Sequence, residues 1–519
     1  MNNIKFLKGT RFHENANTTF FMAEIDLENI DFQSKDFIEQ LKRFIQRHKN
    51  EQLPRLLELK RYYLGDNNIN YRANKTDEDA ADNRIASDFG KYITIFEQGY
   101  MLGKPVKYQN ENETVLEEIE NFAIENNEEY HNILIKTDLS IYGRAYELVY
   151  NSNDSEDIKV KLARLDPQQT FVVYDDTIEK NSLFAVRYYS LDYEDNKHRD
   201  FAEVYTKDAV YYYKNDNLET HFGLRYVDTE QHYFNGVPVN EYSNNEDRTG
   251  DYENVLDAID AYDLSQSELA NFQQDSVDAM LVLQGNPFTG KDEPSFNEKG
   301  ELNPNSALGT LKALKQARML ILDDNPNPEG AQPSAYYLKK EYDATGAEEY
   351  KKRLVSDILR FTFTPDTTDQ NFSGVQSGES MKYKLMASDN KRVTQERLFA
   401  KGLMRRLRLA VNIWGIKGND STKYDEINKT NIVFSPNIPQ NTNELITNVK
   451  SVYGIVSDET TLELLKQFTG VDPEEELKRL EEQESSNVEK YQSQFNFQTD
   501  MTSAEEPKNV GVADDAETE

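Results

Sequence analysis

The spacing of apolar residues changes period along this chain, and that change decides its fold class. Up to residue 138 the spacing is helical. Phe37, Leu41, Phe44 and Ile45 mark a first stretch, Phe37–Leu64, with Ser34 placed to cap it. Ile85, Phe89, Tyr92, Ile93 and Phe96 mark a second, Asn83–Leu102, which stops at Gly103-Lys-Pro105. Glu113–Asp138 is a third, more acidic on its outer face. From Ser140 to about Val239 the period falls to two. Ala145–Tyr150, Lys159–Ala163, Phe171–Tyr174, Leu183–Tyr189, Ala202–Thr206, Val210–Lys214 and Phe222–Val227 read as strands, with turn clusters such as Asn151–Asp157 and Lys214–Asn217 between them. Helices followed by an antiparallel meander predict an α+β fold.

The next part is organised differently. Asp251–Ala279 reads as a helix with Val255, Ile259, Tyr262, Leu269 and Phe272 on one side. It carries eight acidic residues and no basic one. A short apolar run, Ala279–Leu283, leads into a Pro/Gly/Asn-rich stretch, Gly285–Asn305, and strand-like pieces follow at Met319–Leu322 and Ala335–Lys339. A capping-box pattern, Thr345-Gly-Ala-Glu348, opens a second helix with Ala347, Tyr350, Leu354, Ile358 and Phe361 on one stripe, ended by Pro365. A polar loop, Asp366–Ser377, precedes a long helix running to about Trp414, in which Gly402 is a candidate bend. Asn431–Phe434 reads as a strand. Short helices are expected at Asn441–Val452, Asp458–Phe468 and Pro473–Glu484, before an aperiodic acidic tail.

A chain of 519 residues holds three or four such regions at roughly 100–200 residues per domain. Its 59 basic and 93 acidic residues leave −34, which on average repels a phosphate backbone and argues against a protein that coats nucleic acid. With no cysteine, disulfides and thiolate metal sites are excluded. No apolar run reaches the roughly 18 residues a membrane helix needs, and the polar N-terminus forms no signal core, so a soluble protein made in a cytoplasm is expected.

Catalytic motifs are scarce. Gly285-Asn-Pro-Phe-Thr-Gly290-Lys291-Asp292 has P-loop spacing, but Asp292 stands where a Mg²⁺-binding hydroxyl is needed and Pro287 deletes a phosphate-binding N–H. A solvated loop is the better reading. His13, His48, His131, His198, His221 and His232 show no metal-ligand spacing, so no metal and no cofactor is expected. One contrast stands out. Gly378–Leu409 holds nine basic and three acidic residues, a local +6. Two readings stay open: a helix that neutralises acidic helices packed on it, or a phosphate contact or subunit-interface stripe, with Lys382, Lys384, Lys391 and Arg392 as candidates.

The order of elements, with several segments, resembles the portal proteins of tailed bacteriophages, of the siphophage type of Gram-positive hosts. The segments are Asn83–Ile93 with Gly99–Tyr108, Tyr142-Gly-Arg-Ala-Tyr-Glu-Leu-Val-Tyr150, Leu165-Asp-Pro through Val173-Tyr-Asp-Asp176, and Gly374–Leu385 followed by Glu396–Leu403. The similarity covers most of residues 35–485. The resemblance implies a multi-region portal fold: wing 1–250, stem helix 251–280, clip 281–340, returning stem helix 341–364, tunnel loop 365–377, long wing helix and strand 378–440, crown 441–490, and a disordered acidic tail 491–519. It also implies a ring of this chain, usually of twelve, at one capsid vertex of the virion, assembled in the host cytoplasm. Double-stranded DNA would pass through it. Terminase large subunit, major capsid and scaffolding proteins and a head–tail adaptor would be its partners, with no membrane.

By position, Thr367, Thr368, Asp369, Gln370, Asn371, Phe372 and Ser373 would be the DNA-contacting loop, with no catalytic residue anywhere. Small polar side chains around one aromatic can touch a moving duplex without trapping it, as a run of arginines would. The rival classes are a packaging ATPase/nuclease, which needs the hydroxyl that the motif at Gly285 lacks, and another virion protein such as an adaptor.

Overall fold

The computed structural model describes residues 15–23, 30–75, 80–152, 158–192, 198–215, 223–277, 280–284, 294–297, 299–316, 319–322, 335–338, 343–366, 378–418 and 422–437, with short pieces between 449 and 483. The chain divides into two units. One comprises residues 1–373 and 383–438, the other 374–382 and 439–519. In the second, helical turns are described at 449–451, 460–462 and 476–480; the rest of the helices expected there lie outside the described residues.

In the first unit the α+β class holds. The opening helical stretch is three pieces in a row: α1 (Lys35–Arg47), a π-helical turn His48–Gln52, and α2 (Leu53–Tyr63). Ser34 caps α1 as expected, accepting from the Phe37 amide at 3.2 Å. The helix expected over Asn83–Leu102 begins only at Phe89 (α3, Phe89–Leu102); residues 81–88 are extended. The stretch Glu113–Asp138 is two helices, α4 (Glu113–Glu125) and α5 (Glu128–Tyr142), broken where Asn127 turns left-handed at φ 47°.

The strands form two sheets rather than one meander. β1 (Phe20–Phe21) lies parallel to β5 (Thr170–Tyr174), which opens an antiparallel run through β6 (Ser182–Asp192), β7 (His198–Tyr205), β8 (Ala209–Asn215) and β9 (Arg225–Gln231). Separately, β3 (Arg144–Ser152) pairs with β4 (Lys159–Leu165) and β10 (Val239–Ser243). The period of two explains the layering. Phe171, Val173, Phe184 and Val186 face Phe37, Leu41 and Ile45 of α1, while Val172 and Ala185 between them pack with Tyr146, Leu165 and Val239 of the small sheet. Later, β14 (Asn431–Val433) pairs antiparallel with β2 (Lys107–Gln109).

α6 (Leu256–Val277) follows a 3₁₀ turn at Glu253–Val255. Of its expected apolar stripe Val255 and Ile259 are buried while Tyr262, Leu269 and Phe272 are only partly so; the buried face continues with Asp263, Ser267 and Asn271. These polar groups explain the extended segment. Ser87 N donates to Asp263 Oδ1 (3.0 Å), Ile85 N to Ser267 Oγ (2.9 Å), Asn83 N to Asn271 Oδ1 (2.6 Å) and Ala81 N to Asp275 Oδ1 (3.4 Å). Every second amide of a strand meets every fourth side chain of a helix. The helix thus takes the place of a neighbouring strand.

The excursion after α6 is a mixed sheet. β11 (Met280–Gln284) lies between β12 (Met319–Leu322), parallel, and β13 (Ala335–Leu338), antiparallel. It includes a helix the sequence reading lacked, α7 (Ala307–Gln316), whose start is marked by Ser306 Oγ accepting from Gly309 N at 3.0 Å. α8 (Ala344–Thr362) is capped by Asp343, which accepts from Gly346 N at 2.8 Å, rather than by Thr345. α9 (Gly378–Gly418) is the long basic helix, followed by the short α10 (Lys423–Ile427). Gly402 serves close approach: a Cβ there would sit 2.2 Å from the Tyr242 ring.

Ser267→Ala removes the acceptor of the Ile85 amide, a loss of about 0.5–1.5 kcal/mol. Urea unfolding should show that loss, and amide exchange should quicken at Ile85. Unchanged exchange there would show that the helix does not hold the segment.

Candidate functional site

The expected contact loop, Thr367, Thr368, Asp369, Gln370, Asn371, Phe372 and Ser373, lies outside the described residues, as does the P-loop-like stretch 285–292. The structure does describe how the loop is anchored. α8 ends with Phe363 in a left-handed turn (φ 61°), and Thr364 is buried. From α9, Ser388 Oγ donates to the Phe363 carbonyl and Lys391 Nζ donates to the Thr362 carbonyl at 3.1 Å. The segment between the two helices therefore leaves from a pinned base.

Lys391 is the centre of that base. Its ammonium also lies 2.8 Å from Glu97 Oε1 on α3 and 2.9 Å from Asp251 Oδ1. Asp251 is shared with Lys136 of α5 at 3.5 Å and with Gln395 Nε2 at 2.9 Å, and Lys136 reaches Gln395 Oε1 at 2.8 Å. Burial by itself would raise the Asp251 carboxyl; Lys136 and Lys391 hold it well below the usual carboxylate range. At Glu97 burial wins and the pKa is raised, against the pull of Lys391.

A second cluster sits further along α9. Arg406, with no exposure to water, forks onto Glu147 of β3 (Nε to Oε2, 2.9 Å), Glu128 of α5 (2.6 Å) and Asn132 Oδ1 (2.9 Å). Tyr242 OH and His131 complete the shell of Glu147 at 3.1 and 2.8 Å. Burial would raise Glu147, but Arg406 and His131 bring its carboxyl down to about 2.

Of the four basic candidates, Lys391 is held in its ion pairs and Arg392 bonds Asp389 at 2.7 Å and Glu396 on its own helix. Lys382 and Lys384 lie on α9 with side chains outside the described residues. For Lys391 and Arg406 the neutralising reading of the basic helix is the one the geometry matches. The carboxylates they meet were not singled out in the sequence. A signal existed: Glu97 and Glu147 each interrupt a run of core residues, between Ile93 and Tyr100 and between Tyr146 and Val149.

Among the described residues no group of three or more histidine and acidic side chains is arranged to hold a metal, and no helix is long and apolar enough to cross a membrane. The family described as "Phage portal protein, SPP1 Gp6-like" matches residues 42–490, and the chain belongs to it. The portal protein of Bacillus phage SPP1 is 24% identical over 464 residues, covering 85% of this chain and 86% of that protein. The portal protein of Clostridium phage phiCD119 is 25% identical over 300 residues, covering 52% of this chain and 65% of that protein. Membership sets aside the packaging enzyme and makes the protein a structural component of a phage.

Arg406→Met leaves Glu147 and Glu128 without their cation and should cost about 3–5 kcal/mol in urea unfolding, since an orphaned buried charge is worse than a missing pair. Acid should act in two stages. Asp138 and Asp263 are raised by burial to about 6, so their ionised forms weaken the fold and lowering pH from 7 towards 5 relieves that strain. Glu147 and Asp251 are depressed below the usual carboxylate range, so the stability they add is present above about pH 4 and lost as pH falls towards about 2. In the opposite direction to Asp138 and Asp263, burial lowers His48 to about 3 and lowers His232, so the stability of their neutral forms is lost as pH falls below about 6.5. The two effects offset between pH 7 and 5, and thermal melts should show the main loss of stability below about 4. A main loss between pH 7 and 5 would contradict this assignment.

Proposed function

We propose that this portal protein forms a closed ring, of twelve subunits, at one vertex of the capsid, and that phage double-stranded DNA is packaged, retained and released through its channel. Residues 1–250 form the wing, 251–280 and 341–364 the paired stem helices, 281–340 the clip, 365–377 the tunnel loop, 378–440 the long wing helix and strand, and 441–490 the crown. The clip meets the terminase large subunit during packaging and the head–tail adaptor afterwards, while the outer surface meets the major capsid and scaffolding proteins.

The observation that carries this reading is the family match over residues 42–490 on a chain whose α8 stripe is only half used. Ile358 and Leu359 are buried against the protomer, but Tyr350, Phe361 and Phe363 on and just after α8 stay about half exposed. Aromatic side chains of that size at helical spacing suit burial by a neighbouring subunit. The pinned base at Thr362–Thr364 suits a loop that must ride against a moving duplex without losing its position. The acidic balance of −34 disfavours adhesion to DNA and favours sliding.

Negative-stain images and native mass spectrometry should show central-holed rings; a persistent monomer would sink the reading. Phe361→Asp should abolish rings while leaving the melting temperature of the protomer within a few degrees, because Phe361 is not part of its core. Deleting Gln370–Ser373 should leave rings intact and impair packaging or DNA retention. Loss of rings in that deletion would make the loop structural instead.

A further inference from the structure

A cavity of about 700 Å³ opens beside α9 and takes no part in the networks above. Its walls carry Lys180, Lys401, Arg405 and Arg408, facing Glu179 and Glu246. The stripe Lys401, Arg405, Arg408 and Asn412 recurs at helical spacing, so one face of α9 lines the cavity. Arg405 Nη2 donates to Ser182 Oγ at 2.9 Å and to the Val237 carbonyl at 3.2 Å. Burial pushes its guanidinium below the usual arginine range, only partly offset by Glu241 on the same wall. A desolvated cation gains when a further carboxylate is supplied.

Tyr424, on the cavity wall, is exposed. Exposed apolar residues also adjoin lining residues: Ile178, two residues from Lys180, is 99% exposed, Tyr233 is two residues from Asn235, and the Lys180 ammonium sits 5.9 Å over the Phe21 ring. Arginines and exposed aromatics around a cavity are the composition of a protein-docking surface. Glu179 and Glu246 make it a poor seat for a polyanion, though single carboxylates fit.

A matching surface lies elsewhere on the same unit. The corner between α4 and α5 presents Ile124, 78% exposed, and Tyr130, 57% exposed, beside exposed Glu120 and Glu129. It is rigid, because Asn126 bonds the Phe122 and Val160 carbonyls at 2.9 and 3.2 Å and accepts from Leu162 N at 2.9 Å. α4 shares a core with Leu407, Leu409, Ala410, Val411 and Trp414 of α9; Leu409 also lines the cavity, but the others lie about half a helical turn from the stripe Lys401, Arg405, Arg408 and Asn412. Corner and cavity therefore open on opposite sides of that helix. Two different, complementary patches on opposite sides make a head-to-tail contact, the kind that closes into rings.

We infer that the cavity beside α9 receives the α4–α5 corner of a second copy of this chain, with Glu120 and Glu129 meeting Arg405 and Arg408 and Ile124 and Tyr130 packing on the rim. This rests on the ring proposed above and names its contact.

The absence of cysteine makes the test direct. In the full-length chain, Ile124→Cys combined with Lys401→Cys should give, with a short bis-maleimide, a ladder of covalent oligomers. Either substitution alone should give none, and Ile124→Cys with Leu191→Cys, at the far end of β6, should give none. Adding Arg408→Glu, at an exposed position, should cut the ladder about fivefold, the scale of an exposed ion pair turned into a clash. Adding Glu129→Lys to that variant should restore it. Rings without a ladder, or an equal ladder from the Leu191 control, would overturn the contact and leave the portal reading standing. A ladder from chains that never close into rings would support the contact and overturn the ring.

Discussion

Carboxylates removed from water need cations or several hydrogen bonds, and in a chain with 93 acidic and 59 basic residues the supply of cations limits how many can be buried as ion pairs. α9 provides that supply for Glu97, Asp251, Glu128 and Glu147. These acids come from α3, from the start of the α6 region, from α5 and from β3, elements up to 294 residues away in sequence from the cations that meet them. The helix therefore joins separate layers through charge as well as through Phe399, Leu403 and Leu407. Without Lys391 and Arg406 those layers would meet with like charges facing one another, and the loop base at Thr362 would lose the donor that ties it to α9.

Much of this architecture is legible in the order of residues. Periodicity places α1, the seven strands and α9 because each of these elements buries its own apolar face, and a buried face leaves a pattern. Segments held by other means leave a misleading one. Ile85, Phe89, Tyr92 and Ile93 have helical spacing, yet the chain before Phe89 is extended, because its amides find acceptors on Asp263, Ser267 and Asn271. Those acceptors are nearly 200 residues distant, and no local signal reports them. The split of the strands into two sheets is equally invisible, since β3 and β5 alternate in the same way and differ only in which strands they pair with.

The site divides along the same line. A positive stripe inside a negative chain could be seen at once, but its purpose depends on where the negative partners fold to. Arg406 meets Glu147 and Glu128 across more than 250 residues. The half-used stripe of α8 is the converse case. Sequence spacing groups Tyr350 and Phe361 with Ile358, and only the packed protomer shows that they remain outside it. A pattern that a single chain does not satisfy is itself information about assembly.

The pairing of α6 with residues 81–87 has a mechanical consequence. Side chains four apart on a helix are about 6.0 Å apart along its axis, and alternate strand residues about 6.6 Å, so the rungs drift by roughly 2 Å over three steps. The drift limits such a ladder to a few rungs, and its last one, Ala81 to Asp275, is the longest at 3.4 Å. Because the strand runs antiparallel alongside the helix, a pull along the helix axis strains all the rungs in shear at once instead of peeling them singly. A helix fastened in this way resists sliding lengthwise far better than it resists being lifted sideways.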